Sequence, residues 1–155
     1  MNEPIGLPYI DGLKPIEVVL VEGLSHTPAL ELAMRGWAEC VEKGLGDGTL
    51  NLWASLNAFI AYAQNGREMI PAAVMTWEHD KTLKRVWIYQ SYTLPEFRGR
   101  GLYNALWAKM VEHATVELKA STIESGTHVR NTAMRAVAKK QGRYEECVIL
   151  KFNLD

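Results

Sequence analysis

Residues 88–106, IYQSYTLPEFRGRGLYNAL, hold the densest chemistry of this 155-residue chain. Strand-like residues run into Pro95, then into alternating arginine and glycine, then directly into a helical period. A helix N-terminus leaves backbone N–H groups unpaired and carries partial positive charge, so it attracts phosphate. Gly99 and Gly101 remove side chains where an anion must approach the backbone, while Arg98 and Arg100 add charge. The chemistry that these types and spacings support is the holding of a phosphate-bearing ligand.

Three kinds of anion loop compete for the pattern. A Walker loop needs GxxxxGK[ST], which the chain lacks. A dinucleotide loop needs GxGxxG, and Asn104 stands where its third glycine belongs. Its parallel βαβ context is missing too, because three turn-linked strands precede the loop. Residues 94–102, LPEFRGRGL, instead resemble the acyl-CoA diphosphate loop of GNAT acyltransferases, whose core reads [R/Q]xxGx[G/A]. Arg98 and Gly101 match that core, whereas Tyr103 replaces the family's usual Gly or Ala. A second segment, residues 131–143, resembles the family's downstream helix N-x-x-A-x-x-L-Y-x-K-x-G-F. Asn131, Lys140 and Gly142 match there, with Val137 a conservative fit. The resemblance covers residues 85–154 well and the N-terminal half by element order alone.

The resemblance implies a GNAT-like fold, an acetyl-CoA co-substrate, no metal, and direct attack by an amine in a ternary complex. Backbone of Ser91, Tyr92 and Thr93 is expected along the pantetheine arm. Amides of Gly99, Arg100, Gly101, Leu102, Tyr103 and Asn104 are expected at the diphosphate, and Asn131 in contact with the cofactor. The usual acid and base residues of the family are replaced: its tyrosine falls at Ala138, one carboxylate at Gly126, and another near Trp87. Glu124 and His128, which share strand parity with Gly126, and Tyr89 are the candidates for proton handling. The loss at Ala138 motivates an alternative, a GNAT-like module that binds acyl-CoA with little transfer. A third reading is a domain whose loop holds another nucleotide. Small polyamines, aminoglycosides, peptide N-termini and protein lysines all stay open as acceptors, and dimers are common among similar proteins.

These residues need elements to position them. Residues 16–21 read as a β-branched strand. Thr27-Pro28 then opens a helix as N-cap and first residue, with a Leu30, Met34, Trp37, Val41 core stripe ending at Gly44. Residues 52–56 read as a short helix. Strands follow at 58–64, 70–77 and 85–93, separated by Asn65-Gly66 and His79-Asp80. Leu102, Leu106, Met110, Ala114 and Leu118 mark a long helix, residues 121–126 a strand, residues 131–141 a helix, and residues 146–153 a closing strand. The fold class is α/β of the α+β type: one mixed, mostly antiparallel sheet with helices on both faces, a single domain over residues 1–155.

Composition bounds the partners. A net charge of −1 supplies no field toward nucleic acid or an anionic membrane. The one Arg-Gly-Arg-Gly copy is poor support for an RNA-binding segment. The run of Arg130, Arg135, Lys139, Lys140 and Arg143 reads as a solvated helix face that can also approach the cofactor's 3′-phosphate. Two cysteines without metal or disulfide spacing, and an N-terminus without a signal-peptide pattern, point to a reduced cytoplasmic protein. Trp53, beside an irregular loop, is a candidate for lining an acceptor pocket.

Overall fold

A computed structural model describes residues 16–46 and 48–154; the N-terminal arm and its signal-peptide reading fall outside them. The elements are β1 (Ile16–Glu22), α1 (Pro28–Glu42), β2 (Asn57–Asn65), β3 (Glu68–Asp80), β4 (Arg85–Thr93), α2 (Leu102–Val116), β5 (Thr122–Ser125) and α3 (Thr132–Lys140). A short 3-10 turn, Pro95–Phe97, sits between β4 and α2. The strands lie in sequence order in one sheet, antiparallel throughout except for the parallel β4–β5 pair. This is the mixed sheet that the sequence leads one to expect.

Local chemistry sets the turns. Gly66 takes the left-handed conformation, φ 63°, that the tight β2–β3 connection requires. Strand β3 runs through His79 to Asp80, so the β3–β4 break falls later than expected. There Asp80 Oδ1 accepts from the N–H groups of Thr82 and Leu83, each at 3.0 Å. The long helix follows its predicted stripe, with Leu102, Leu106, Met110 and Ala114 buried on the sheet. Trp77 stacks on Phe59 at 5.7 Å, and both rings meet His113 of α2 edge-on. Burial of side chains this large stabilises the fold by about 1.5–3 kcal/mol each.

Helix α1 packs on the opposite face, and its buried side differs from expectation. Ala29, Leu32, Ala33 and Gly36 face the sheet, while Leu30, Met34 and Val41 are exposed. The reason is distance. A Cβ at Gly36 would stand 2.7 Å from Cβ of Tyr92 on β4, so only a small-residue stripe lets the helix seat. Thr27 holds the N-cap position, but its hydroxyl donates to the carbonyl of Leu24 at 2.8 Å instead of serving the helix.

Two expected elements do not form. Residues 52–56 are a turn, closed by the Leu56 N–H donating to Trp53 O at 3.2 Å, too short a run for a helix. Residues 146–153 form no strand, for among the described residues none pairs with them in a ladder. Their apolar side chains are bare: Val148 is 79% exposed and Leu154 94%. Among the described residues no helix is long and apolar enough to cross a membrane.

Candidate active site

Strands β4 and β5 pair only from Arg85↔Thr122 to Ile88↔Ser125. Strand β4 then continues for five residues, through Thr93, with β3 on one side and, among the described residues, no strand on the other. The divergence coincides with a bulge. Ile88 pairs with Trp77 and Gln90 with Thr76, so Tyr89 has no counterpart on β3. A bulge adds twist and re-aims the backbone beside it, which opens a gap flanked by β4 backbone from Tyr89 onward. Ser91, Tyr92 and Thr93 lie along this stretch.

The open edge leads to the loop. Gly99 and Gly101 have φ of 76° and 83°, where a side chain costs roughly 1–2 kcal/mol. A Cβ at either would meet nothing within 4 Å, so the space above them is free. Gly101 is the N-cap of α2 and brings no capping side chain. The first helical bond in this turn is Ala105 N–H to Gly101 O at 3.0 Å, which leaves the amides of Leu102, Tyr103 and Asn104 for a ligand.

Arg98 does not reach toward that space. Its Nη2 donates to Glu39 Oε2 of α1 at 2.7 Å, its Nε to the carbonyl of Thr93 at 3.0 Å, and its guanidinium lies 5.6 Å over the Tyr92 ring. Glu39 also takes Lys43 Nζ at 2.5 Å, and the Arg98 bond above all pulls its pKa down to about 2. Arg98 therefore staples the loop to α1. Arg100, packed over Phe97 at 4.6 Å and exposed, is the loop arginine left to meet an anion.

A further polar group faces the same region from the far side. Tyr103 Oη, the side-chain amide of Gln141 and Nη1 of Arg143 are buried without a hydrogen-bond partner. Burial pushes the Tyr103 hydroxyl pKa up against the pull of Arg143. Arg143 also bonds Ser125 Oγ at the end of β5 and lies 4.9 Å over Trp107. Unpaired buried groups cost about 1–3 kcal/mol each, so a ligand with many acceptors fits them. The orphaned polar atoms, the open glycine cradle and the unpaired edge together match a long phosphorylated thiol ester such as acetyl-CoA. Gln141, the C-cap of α3, is not legible as a site residue from its type or spacing, because its place beside Tyr103 depends on the tertiary fold.

The remaining candidates are distributed. Asn131 is the N-cap of α3, its Oδ1 accepting from Met134 N–H at 3.1 Å. Glu124 lies in register with Trp87, accepting from Thr122 Oγ1 at 3.0 Å and facing Arg85 at 3.5 Å. Strand β5 stops at Ser125, so the parity linking Glu124 to His128 does not extend that far. His128 sits in the following loop, its Nδ1 accepting from Arg130 N–H at 3.1 Å. In the basic run, Arg130 is bound to Gly44 O and Arg135 to Glu145. Tyr89, at the bulge, donates to Glu78 Oε2 at 3.2 Å and meets Trp53 edge-on at 4.6 Å. Burial first, then the Glu78 charge, pushes its pKa up. Glu78 is the site residue that sequence reading missed: it lies on β3, outside both motifs.

Comparison with known proteins agrees with this geometry. The family model for the GNAT acetyltransferases matches residues 29–142. The chain belongs to the GNAT acetyltransferase family and is an acyltransferase. No curated protein matches it in sequence. Among solved structures, it is similar to the aminoglycoside N-acetyltransferase AAC(6')-Iy in complex with CoA, with 22% identity and TM-score 0.61 over 95% of this chain and 100% of that one. An aminoglycoside acetyltransferase from an uncultured soil metagenomic sample, in complex with sisomicin, is 11% identical with TM-score 0.64, covering 90% and 97%. A ribosomal-protein-alanine N-acetyltransferase from Brucella melitensis biovar Abortus 2308 is 15% identical with TM-score 0.59, covering 89% and 100%. At these identities the likeness is one of fold.

Proposed function

We propose that the protein is an N-acetyltransferase that moves an acetyl group from acetyl-CoA to a primary amine by direct attack in a ternary complex. The observation that carries this reading is the continuous track from the open β4 edge at 89–93 to the uncapped α2 amides above Gly99 and Gly101. Backbone of Ser91, Tyr92 and Thr93 pairs with the pantetheine amides like an added strand. Amides of residues 99–104, with Arg100, hold the diphosphate, and Tyr103, Gln141 and Arg143 line the remaining wall. Asn131 contacts the cofactor through its side-chain nitrogen, since its oxygen caps α3.

The thioester then lies at the bulge. A β4 backbone N–H polarises its carbonyl, the amine lone pair forms the C–N bond, and the C–S bond breaks. Tyr89, like any tyrosine, is protonated at neutral pH, and its place at the bulge lets its hydroxyl supply a proton to the departing thiolate. It takes over the role left vacant at Ala138. Glu124 and His128 serve as proton relays for the incoming amine, through water. Steady-state release of CoA over a panel of amines tests the reading, and Tyr89→Phe is expected to lower kcat by about 10²-fold. Unchanged kcat in that variant removes Tyr89 from the mechanism.

The ion pairing of Glu124 and the occupied Nδ1 of His128 favour a second reading, an acyl-CoA-binding module with little transfer. Tight acetyl-CoA binding with no CoA release from any amine would select it. The named neighbours suggest two acceptor classes for this chain, aminoglycosides and the alanine of a ribosomal protein. The reading also includes one domain over residues 1–155, a cytoplasmic setting, supported by free Cys40 and Cys147, and a homodimer. The homodimer is supported by the place of β5 at the edge of the sheet among the described residues, and by the exposed apolar side chains of Val148, Ile149, Leu150, Phe152 and Leu154.

A further inference from the structure

Beside the bulge the sheet carries an aromatic wall. Trp77 points to α2, so its neighbours in sequence and register, Glu78 and Trp87, point to the opposite face. There Trp53 meets Tyr89 at 4.6 Å, Tyr89 meets Trp87 at 6.4 Å, and the Arg85 guanidinium lies 5.6 Å over Trp87. Trp53 comes from the loop after α1 and is 38% exposed, although nothing in the core requires an aromatic ring at that point.

Charge frames the wall. Glu78 bonds Tyr89 and has no ion pair among the described residues. Asp80 and Glu124 share the single guanidinium of Arg85, at 3.9 and 3.5 Å. Two carboxylates thus share one cation that already rests on an aromatic face, and Glu78 stands by Tyr89 with no ion pair among the described residues. Ring faces attract ammonium groups, and carboxylates at their margin add charge and hydrogen bonding.

We propose that this wall is the acceptor site and that it selects amines carrying two or more positive charges on a compact saturated frame. The proposal rests on the acetyltransferase reading, which puts the thioester at Tyr89. In it, Glu78 holds one ammonium group beside Tyr89, while a second competes with Arg85 for Glu124. Trp53 and Trp87 cover the carbon frame between them. A linear polyamine and an amino sugar share this chemistry, whereas a monoamine engages only one end.

The test is calorimetric titration of spermidine, neamine and n-butylamine into the protein, with and without CoA, for wild type and for Glu78→Gln, Glu124→Gln and Trp53→Phe. At least one of the two polycations is expected to bind about tenfold or more tighter than n-butylamine, more weakly as salt rises. Glu78→Gln is expected to weaken that polycation about tenfold and leave n-butylamine closer to its starting affinity. Which polycation binds distinguishes the linear from the ring frame. Equal affinity for all three amines, no amine binding, or polycation binding unchanged in both carboxylate variants overturns the proposal. Failure of CoA to bind while polycations still do would sink the acetyltransferase reading and leave the wall standing. Circular dichroism of each variant separates a lost contact from a lost fold.

Discussion

Arg98 shows how a residue can match a motif and perform a different task. Its position was legible from the spacing of Arg98 and Gly101, although Tyr103 breaks the motif's last place, but its partner, Glu39, lies 59 positions earlier on α1. The sequence therefore suggested a phosphate contact where the fold makes a staple. Glu39→Gln is expected to loosen the loop, raising KM for acetyl-CoA several-fold with a smaller change in kcat, and to cost about 1 kcal/mol or less of stability because the pair is partly exposed. The pH dependence has a definite sign. Glu39 has a lowered folded pKa, so its contribution is full above its ordinary value of 4.5 and is lost as pH falls through about 2. Acetyl-CoA affinity above pH 5 is then independent of this group; titration of the Glu39 carboxyl by NMR near its ordinary value would contradict the staple.

At the scale of elements, β4 and α2 were readable because their patterns are strong. A β-branched and aromatic run followed by proline and glycine leaves little choice of boundary, and the Leu102, Leu106, Met110, Ala114 stripe has one solution. Helix α1 was misread because size, not hydrophobicity, selects its buried face. Gly36→Ala tests this directly. The new Cβ would press on Tyr92 at 2.7 Å, and overpacking of this kind costs about 1–3 kcal/mol, or roughly 2–12 °C in Tm. An unchanged melting temperature would mean that α1 has slack on β4. The β4–β5 divergence could not be read from residue type, since a bulge at Tyr89 leaves no signal there.

For the whole molecule, pattern and motifs reached the fold class, while of the proposed acceptor wall the sequence pointed only to Trp53 as an acceptor lining. The wall's parts, Trp53, Glu78, Tyr89 and Glu124, come from four separate segments and meet only in three dimensions. The closing strand was misplaced for a related reason: the apolar run Val148-Ile149-Leu150 gives strand propensity, but a ladder needs a neighbour, and none is supplied within the described chain. If a second copy supplies it, light scattering will give a dimer mass for the full chain and a monomer mass for a chain ending at Glu145. A monomeric full chain contradicts that arrangement.

The central claim is that the β4 edge and the α2 amides form an acetyl-CoA site, and thermal unfolding with acetyl-CoA, ATP or NAD tests it most directly. Acetyl-CoA at about 100 times its Kd is expected to stabilise by about 2.7 kcal/mol, roughly 5–10 °C for a domain of this size, with no comparable shift from ATP or NAD. No shift at millimolar acetyl-CoA, or an equal shift with all three, would contradict the account.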